Sequence, residues 1–383
     1  MTILDFIKQE LEDLKKNGLY REMKNVRTGL ARAERSRDVP VRTNHDIPVQ
    51  TFCSNDYLGL SNHPQIIEAA IKATKEHGTG AGASRLISGN LAVHEELEKR
   101  IAKFKDREAA LVFSTGYMAN VGTIAALTDE NDTIIIDRLN HASIIDACKL
   151  SKAKLQVYKH CDMQSLESIL IKSEKFEKRL IITDSVFSMD GDIAPLPEIV
   201  ALAKKFKAIT MIDEAHATGT IGKTGKGAEE HFNLHRQVDI IMGTLSKALG
   251  SHGGFIAGSR ELIDFITNKA RSFIYTTALP PANAAAAIAA LDIIEKDNSL
   301  VAKLQDNARF FKSVTPIIPI IIGEAEKTML ISQQLFERGF HVSGIRPPTV
   351  PNGESRLRIT VSAKHTKEEL SCLASLLQEL IPA

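Results

Sequence analysis

The chain predicts an α/β fold, a mostly parallel sheet covered by helices on both faces, and three observations carry that expectation. Short β-branched apolar runs recur between turn residues. Each is followed by a longer stretch with helical periodicity. The two kinds of segment alternate almost without interruption from residue 46 to about residue 285, the pattern of a parallel sheet with crossover helices.

Taken in order, residues 1–45 read as an amphipathic helix (M-T-I-L-D-F-I-K-Q-E-L) followed by a polar, arginine-rich connector. Pro64 to Glu76 is a helix, ended by the glycine-rich loop His77 to Ser84. Ala92 to Phe104 sets Val93, Leu97 and Ile101 on one face and charges on the other. Strands over Ala109–Phe113, Thr133–Ile136 and Lys154–Tyr158 alternate with helices over Met118–Leu127, Ser143–Leu150 and Met163–Lys172. Asp162 stands where the last of these helices needs an N-cap. Leu180–Thr183 is a strand and Pro197–Phe206 a helix, followed by strands at Ile209–Ile212 and 239–243. These runs are apolar throughout rather than alternating, as parallel strands buried on both faces require. After Pro280-Pro281 the pattern changes. Short strands at Ile317–Ile322 and Leu357–Val361 flank helices at Met329–Arg338 and Thr366–Leu380, which predicts a smaller α+β domain over 286–383.

A length of 383 residues allows two or three domains. A formal charge of +1 gives no field that would draw nucleic acid or a membrane surface. The four cysteines lie far apart with no C-x-x-C pair, which argues for reduced thiols in the cytoplasm and against a disulfide framework or a metal site. The longest uncharged stretches, Ala109–Thr128 and Ser272–Leu291, are broken by polar residues or prolines and do not read as membrane spans.

Ligands of open α/β sheets bind beyond the carboxyl ends of the strands. Two strand ends here carry chemistry. Ile209–Ile212 runs into Asp213-Glu-Ala-His216, and 239–243 runs into Thr244-Leu-Ser-Lys247-Ala-Leu-Gly250. An acid, an imidazole and a lysine at one rim are the parts that hold pyridoxal phosphate (PLP). The lysine forms a Schiff base, and the carboxylate pairs with the pyridinium nitrogen. Ser114 to Asn120 (S-T-G-Y-M-A-N) follows a strand and opens a helix, so its free N–H groups suit a phosphate. Gly116 there permits close approach, and Tyr117 can cover a ring. An ordinary strand–turn–helix hinge is the alternative. His141 also follows a strand end and is placed to stack on a cofactor ring, whereas a surface role is the default for most of the 12 histidines. Thr244 is a candidate phosphate ligand, and Thr276 and Thr277 are candidate hydroxyl donors. Ser188 in V-F-S-M-D-G is either a cofactor contact or a turn serine. Gly222-Lys223-Thr224 lacks the upstream glycine of a P-loop, because that position is Ala217.

With these motifs the chain resembles the α-oxoamine synthases, PLP enzymes of the aspartate-aminotransferase fold (fold type I). The likeness runs through C-S-N-D-Y-L-G-L at Cys53, G-Y-M-A-N at Gly116, N-H-A-S at Asn140, V-F-S-M-D-G-D at Val186, D-E-A-H-A-T-G at Asp213 and T-L-S-K-A-L-G at Thr244. The resemblance implies a seven-stranded sheet in a large PLP-binding domain over 46–285 and a homodimer. It implies that Lys247 holds PLP, Asp213 pairs with the ring nitrogen, His216 bonds the ring hydroxyl and His141 stacks on the ring. Gly116, Tyr117 and Thr244 then line the phosphate or ring, with Ser188 in support. I-R-P-P-T-V-P at Ile345, followed by R-L-R-I-T, points to the branch that condenses L-alanine with a pimeloyl group carried by CoA or acyl carrier protein. In that branch Arg346 clamps the amino-acid carboxylate, and Thr349 and Arg21 contact substrate. A glycine-using relative, or a PLP-binding protein without catalysis, is the alternative reading.

Overall fold

Helix α1 (Ile3–Lys16) opens the computed structural model, which describes residues 3–16, Tyr20 and 49–381. None of the residues of α1 is buried. Short strand β1 (Gln50–Thr51) follows. From Asn55 the chain builds the larger of two units, Asn55–Pro316 with Ser362–Lys364. The smaller takes the described N-terminal residues through Ser54, Ile317–Val361, and the described chain from His365 onward.

The larger unit begins with α2 (Pro64–His77) and α3 (Ala92–Phe104). Strand and helix then alternate: β2 (Ala109–Phe113), α4 (Gly116–Leu127), β3 (Thr133–Asp137), α5 (Ala142–Ser151), β4 (Lys154–Tyr158) and α6 (Met163–Lys172). Next come β5 (Arg179–Asp184), α7 (Leu196–Phe206), β6 (Ile209–Asp213), α8 (Ala228–Phe232), β7 (Ile240–Thr244) and β8 (Gly254–Gly258). Helices α9 (Arg260–Lys269), α10 (Arg271–Ile274), α11 (Pro281–Lys296) and α12 (Ser299–Phe310) complete it. The expected domain boundary near residue 285 falls inside α11, which packs on α2 and α3.

The seven strands lie in the order β2-β8-β7-β6-β5-β3-β4. All neighbours run parallel except where β8 inserts antiparallel to both β2 and β7. Successive side chains point to opposite faces. Ile134, Ile136, Leu180, Ile182, Met211, Ile240 and Met242 therefore join one core with α4, α5 and α9, and Ile135 and Ile181 join the other with α6 and α7. Each such isoleucine, fully buried, contributes roughly 2 kcal/mol. The same alternation carries Asp184 and Asp213, two residues beyond Ile182 and Met211, toward the α4 face. Strand β8 escaped the sequence reading because Gly254-Phe-Ile-Ala-Gly258 holds only three apolar residues among turn-forming glycines.

A wholly buried ion pair braces the end of β6. Lys105 Nζ lies 2.5 Å from Glu214 Oε2, with both side chains 1% exposed. It also donates to Thr218 Oγ1 and the Lys226 carbonyl, and Glu214 Oε1 accepts the Ala228 N–H. A Cβ on Gly227 would lie 2.2 Å from Glu214 Oε2, so only glycine fits beside the pair. Removing one partner strands the other charge in the core. Glu214→Gln is expected to destabilise the protein by about 3–5 kcal/mol, and the double change Lys105→Met with Glu214→Leu by clearly less, as read by chemical denaturation.

In the smaller unit, β9 (Ile317–Gly323), α13 (Ala325–Glu337), β10 (Phe340–His341), β11 (Ser343–Ile345), β12 (Ser355–Thr360) and α14 (Lys367–Leu380) follow in order. Strands β11, β12 and β9 form an antiparallel sheet, and β1 pairs with β10 in parallel. Thr366 and Glu369 form a capping box at the start of α14. Among the described residues, no helix is long and apolar enough to cross a membrane.

Candidate active site

The site begins with a helix start. Thr115 Oγ1 accepts the Met118 N–H at 3.1 Å, so α4 begins at Gly116, two residues before the start that periodicity suggested. Such a terminus leaves N–H groups unpaired and carries positive partial charge. A Cβ on Gly116 would meet Met242 Cε at 3.0 Å and Thr244 Oγ1 at 3.5 Å, and one on Gly254 would lie 2.6 Å from Gly116 N. The two glycines let β7 and β8 run close against the helix start.

A cavity of roughly 190 Å³ opens there, at the carboxyl ends of β5, β6 and β7. Gly116, Tyr117, His141, Asp213, His216, Thr244 and Lys247 line it, as the strand-end rule predicts, and Asn120, Ser143, Asp184, Ala215 and Met242 line it as well. A wider surface hollow near Lys223 and Arg309 holds no comparable set, because Glu230 beside it turns onto the Thr224 and Lys226 N–H groups.

Two hydrogen-bond chains organise the walls. In the first, Lys247 Nζ lies 2.8 Å from His216 Nε2, and His216 Nδ1 lies 2.5 Å from the Tyr57 hydroxyl. With the lysine amine donating to Nε2, the imidazole proton sits on Nδ1 and is donated to the Tyr57 oxygen. The Tyr57 hydroxyl in turn donates a hydrogen bond to Asn55 Oδ1 at 3.2 Å. In the second, Asn120 Nδ2 donates to Asp213 Oδ2 at 2.8 Å and to Ser143 Oγ at 2.9 Å, and Ser143 Oγ meets His141 Nδ1 at 2.8 Å. Ala215 N donates to Asp213 Oδ1 at 2.8 Å. Asp184 Oδ2 accepts from Asn140 Nδ2 at 2.7 Å and from the His141 N–H at 2.9 Å. His141 is thus fixed by its backbone and by its ring, and its Nδ1 also caps α5 by accepting the Ser143 N–H. Burial holds its imidazole below the ordinary value, with Asp213 opposing and Lys247 reinforcing the shift.

The remaining sequence candidates lie as follows. The Tyr117 hydroxyl donates to Asp146 Oδ2 at 2.6 Å. Thr244 Oγ1 donates to the Gly253 carbonyl at 2.8 Å. Ser188 is half-buried in the turn after β5 and is not among the cavity-lining residues, and neither are Thr276 and Thr277. Arg346 belongs to the smaller unit, where Nη2 donates to the Tyr20 carbonyl at 3.0 Å and Nη1 lies 3.0 Å from Met329 Sδ. Thr349 belongs to the same unit, and Arg21 lies outside the described residues. Asn120, Ser143 and Asp184 were missed. Asp184 ends the apolar run Leu180-Ile-Ile-Thr and obeys the rule that selected Asp213, so the signal for it was in the sequence.

Outside the cavity, His160 bridges two acids, Nδ1 to Asp137 at 2.9 Å and Nε2 to Asp192 at 2.8 Å. Those hydrogen bonds push it up to about 12. Its ionic stabilisation is therefore complete below the ordinary imidazole range and is lost only as pH approaches 12.

The donor set fits PLP. A helix start suits the phosphate, a carboxylate accepting two N–H donors suits a ring cation, and two imidazoles and a lysine amine line the same walls. Among the described residues, Asn120 Oδ1 is buried with no partner, an acceptor kept inside the site.

Comparison with known proteins agrees with this. Residues 47–377 match the family described as aminotransferase class I and II. An 8-amino-7-oxononanoate synthase of Thermoanaerobacter pseudethanolicus is 49% identical, over 96% of this chain and 94% of that protein. One of Geobacter sulfurreducens is 46% identical, over 94% of each. Among solved structures, a serine palmitoyltransferase from S. paucimobilis with a bound PLP–myriocin aldimine superposes with a TM-score of 0.89 at 28% identity, over 99% of this chain and 98% of that one. An 8-amino-7-oxononanoate synthase from Francisella tularensis gives 0.75 at 30% identity, over 86% and 97%.

Proposed function

The chain belongs to the 8-amino-7-oxononanoate synthase family within the class I and II aminotransferases, and from that premise we propose that it condenses L-alanine with a pimeloyl thioester. The products are 8-amino-7-oxononanoate, CO2 and the free thiol of CoA or acyl carrier protein, a step of biotin biosynthesis in the cytoplasm, carried out as a homodimer. The observation that carries this is one cavity holding Lys247, Asp213, His216 and the N-terminus of α4.

PLP, when bound, supplies an electron sink for a carbanion at the α-carbon of the amino acid. Lys247 is the residue that holds it, and the same amine serves as base for the α-proton of alanine. His216 orients that amine at 2.8 Å, and Tyr57 fixes the tautomer of His216. Asp213, held by hydrogen bonds from Ala215 N and Asn120 Nδ2, would supply the negative charge against the ring nitrogen. His141, whose imidazole burial holds below its ordinary value, would face the ring. Gly116, Tyr117 and Thr244 are assigned to the phosphate or ring, and Ser188 to their support, on the motif resemblance. Arg346, Thr349 and Arg21 are assigned to substrate on the motif resemblance alone. Arg346→Lys is expected to raise the KM for alanine about tenfold or more, because an ammonium lacks the guanidinium fork.

The test is thiol release by the PLP-loaded protein with alanine, glycine or serine against pimeloyl, acetyl, succinyl and long-chain thioesters, with CO2 measured in parallel. Release with alanine and a pimeloyl thioester is expected. A preference for glycine would move the chain to the other branch, and turnover without CO2 would remove the reading.

A further inference from the structure

Asp184 and Asp213 end neighbouring strands and are paired in register across β5 and β6. Both are buried at 3% exposure, and both line the cavity. Their oxygens are served differently. Asp213 takes one N–H donor on each oxygen. Asp184 takes two on Oδ2, and among the described residues no donor reaches its Oδ1. Two adjacent carboxylates in a poorly solvated site repel strongly. One pyridinium nitrogen balances only one of them. The oxygen without a donor is where a proton meets least competition.

We propose that Asp184 is the neutral acid of the cavity. Its carboxyl carries a proton on Oδ1, which donates a hydrogen bond to an anionic oxygen of the bound ligand, while Oδ2 positions His141. Asp213 then remains the anion. Two like groups are thereby given opposite roles by their surroundings, as acid–base pairs in enzymes are. The identity of the ligand rests on the PLP reading above, but the proton does not.

The charged and titratable groups facing Asp184 are Asp213 on β6, Lys247 after β7, His141 after β3 and Tyr158 at the end of β4. Burial is the largest influence and Asp213 the next. Together they raise Asp184 to about 8, against the opposing pull of the His141 N–H, the Asn140 amide and Lys247. The sign follows from linkage. In the unfolded chain the acid titrates near 3.8, so its contribution to stability is whole below that pH and is lost as pH rises to about 8. Asp184→Asn cannot ionise. Its amide nevertheless keeps both functions, accepting the His141 N–H and donating into the cavity.

Three measurements decide the matter. Cofactor-free wild type and D184N are unfolded in urea across about pH 5 to 10, and the wild-type midpoint is expected to fall relative to D184N up to about pH 8 and then run parallel. Curves parallel throughout would overturn the proposal. Infrared difference spectra of the wild type, which need no variant, should show a carboxylic-acid carbonyl band disappearing over the same range. Its absence overturns the proposal too. Finally, D184N is expected to bind PLP within about threefold of wild type, while D213N loses roughly thirtyfold or more. Equal losses would contradict the division of roles. Should the wild type itself fail to bind PLP, the functional reading falls, while the urea and infrared results still decide where the proton sits.

Discussion

Lys247→Ala is expected to lower kcat by roughly 10⁴-fold, because one amine carries both the covalent attachment and the proton transfer. Lys247 is only half-buried, although its neighbours Ala248 and Leu249 are buried. Truncating it removes a donor from His216 but leaves no core cavity. The fold should persist, with the thermal midpoint within a few degrees of wild type. Borohydride reduction of the PLP-loaded wild type followed by peptide mass analysis should place the pyridoxyl group on Lys247. The variant should show none, and added small amines should restore part of the proton transfer. A variant that retained full turnover, or a label on another lysine, would rule out the assignment.

Asp213→Asn should lower kcat by roughly 10²–10³-fold with little loss of stability, since a charge is removed and the shape is kept. The new amide faces Asn120 Nδ2, and two donors then oppose each other. Asn120 relieves this by turning its amide, because its Oδ1 has no other partner among the described residues. The folding cost is expected near 1 kcal/mol. A large loss of stability with preserved kcat would mean that Asp213 is a structural acid rather than the partner of a ring cation. Urea denaturation and steady-state kinetics on the same preparation separate the two.

Much of this site was legible in the sequence, for a local reason. A polar residue straight after a buried apolar run sits at a strand end whatever the sheet order, so Asp213, His216, Lys247 and His141 announce themselves. Asp184 obeys the same rule, directly after the strand Leu180–Thr183, and was passed over. Tyr57 and Asn120 had no such signal. Tyr57 reaches His216 from 159 residues away, and Asn120 reaches Asp213 from 93 residues away.

By itself, the order of residues determined the alternation of strand and helix, the parallel character of the sheet and the chemical type of its rim, because periodicity and strand-end position are properties of neighbours along the chain. The tertiary structure alone decided that β8 inserts antiparallel between β2 and β7. It also decided that two acids stand side by side at β5 and β6, and that Tyr57, His216 and Lys247 form one hydrogen-bonded chain. Those depend on strand order and register across the sheet, where the contacts join residues far apart in the chain and are set by which faces bury together.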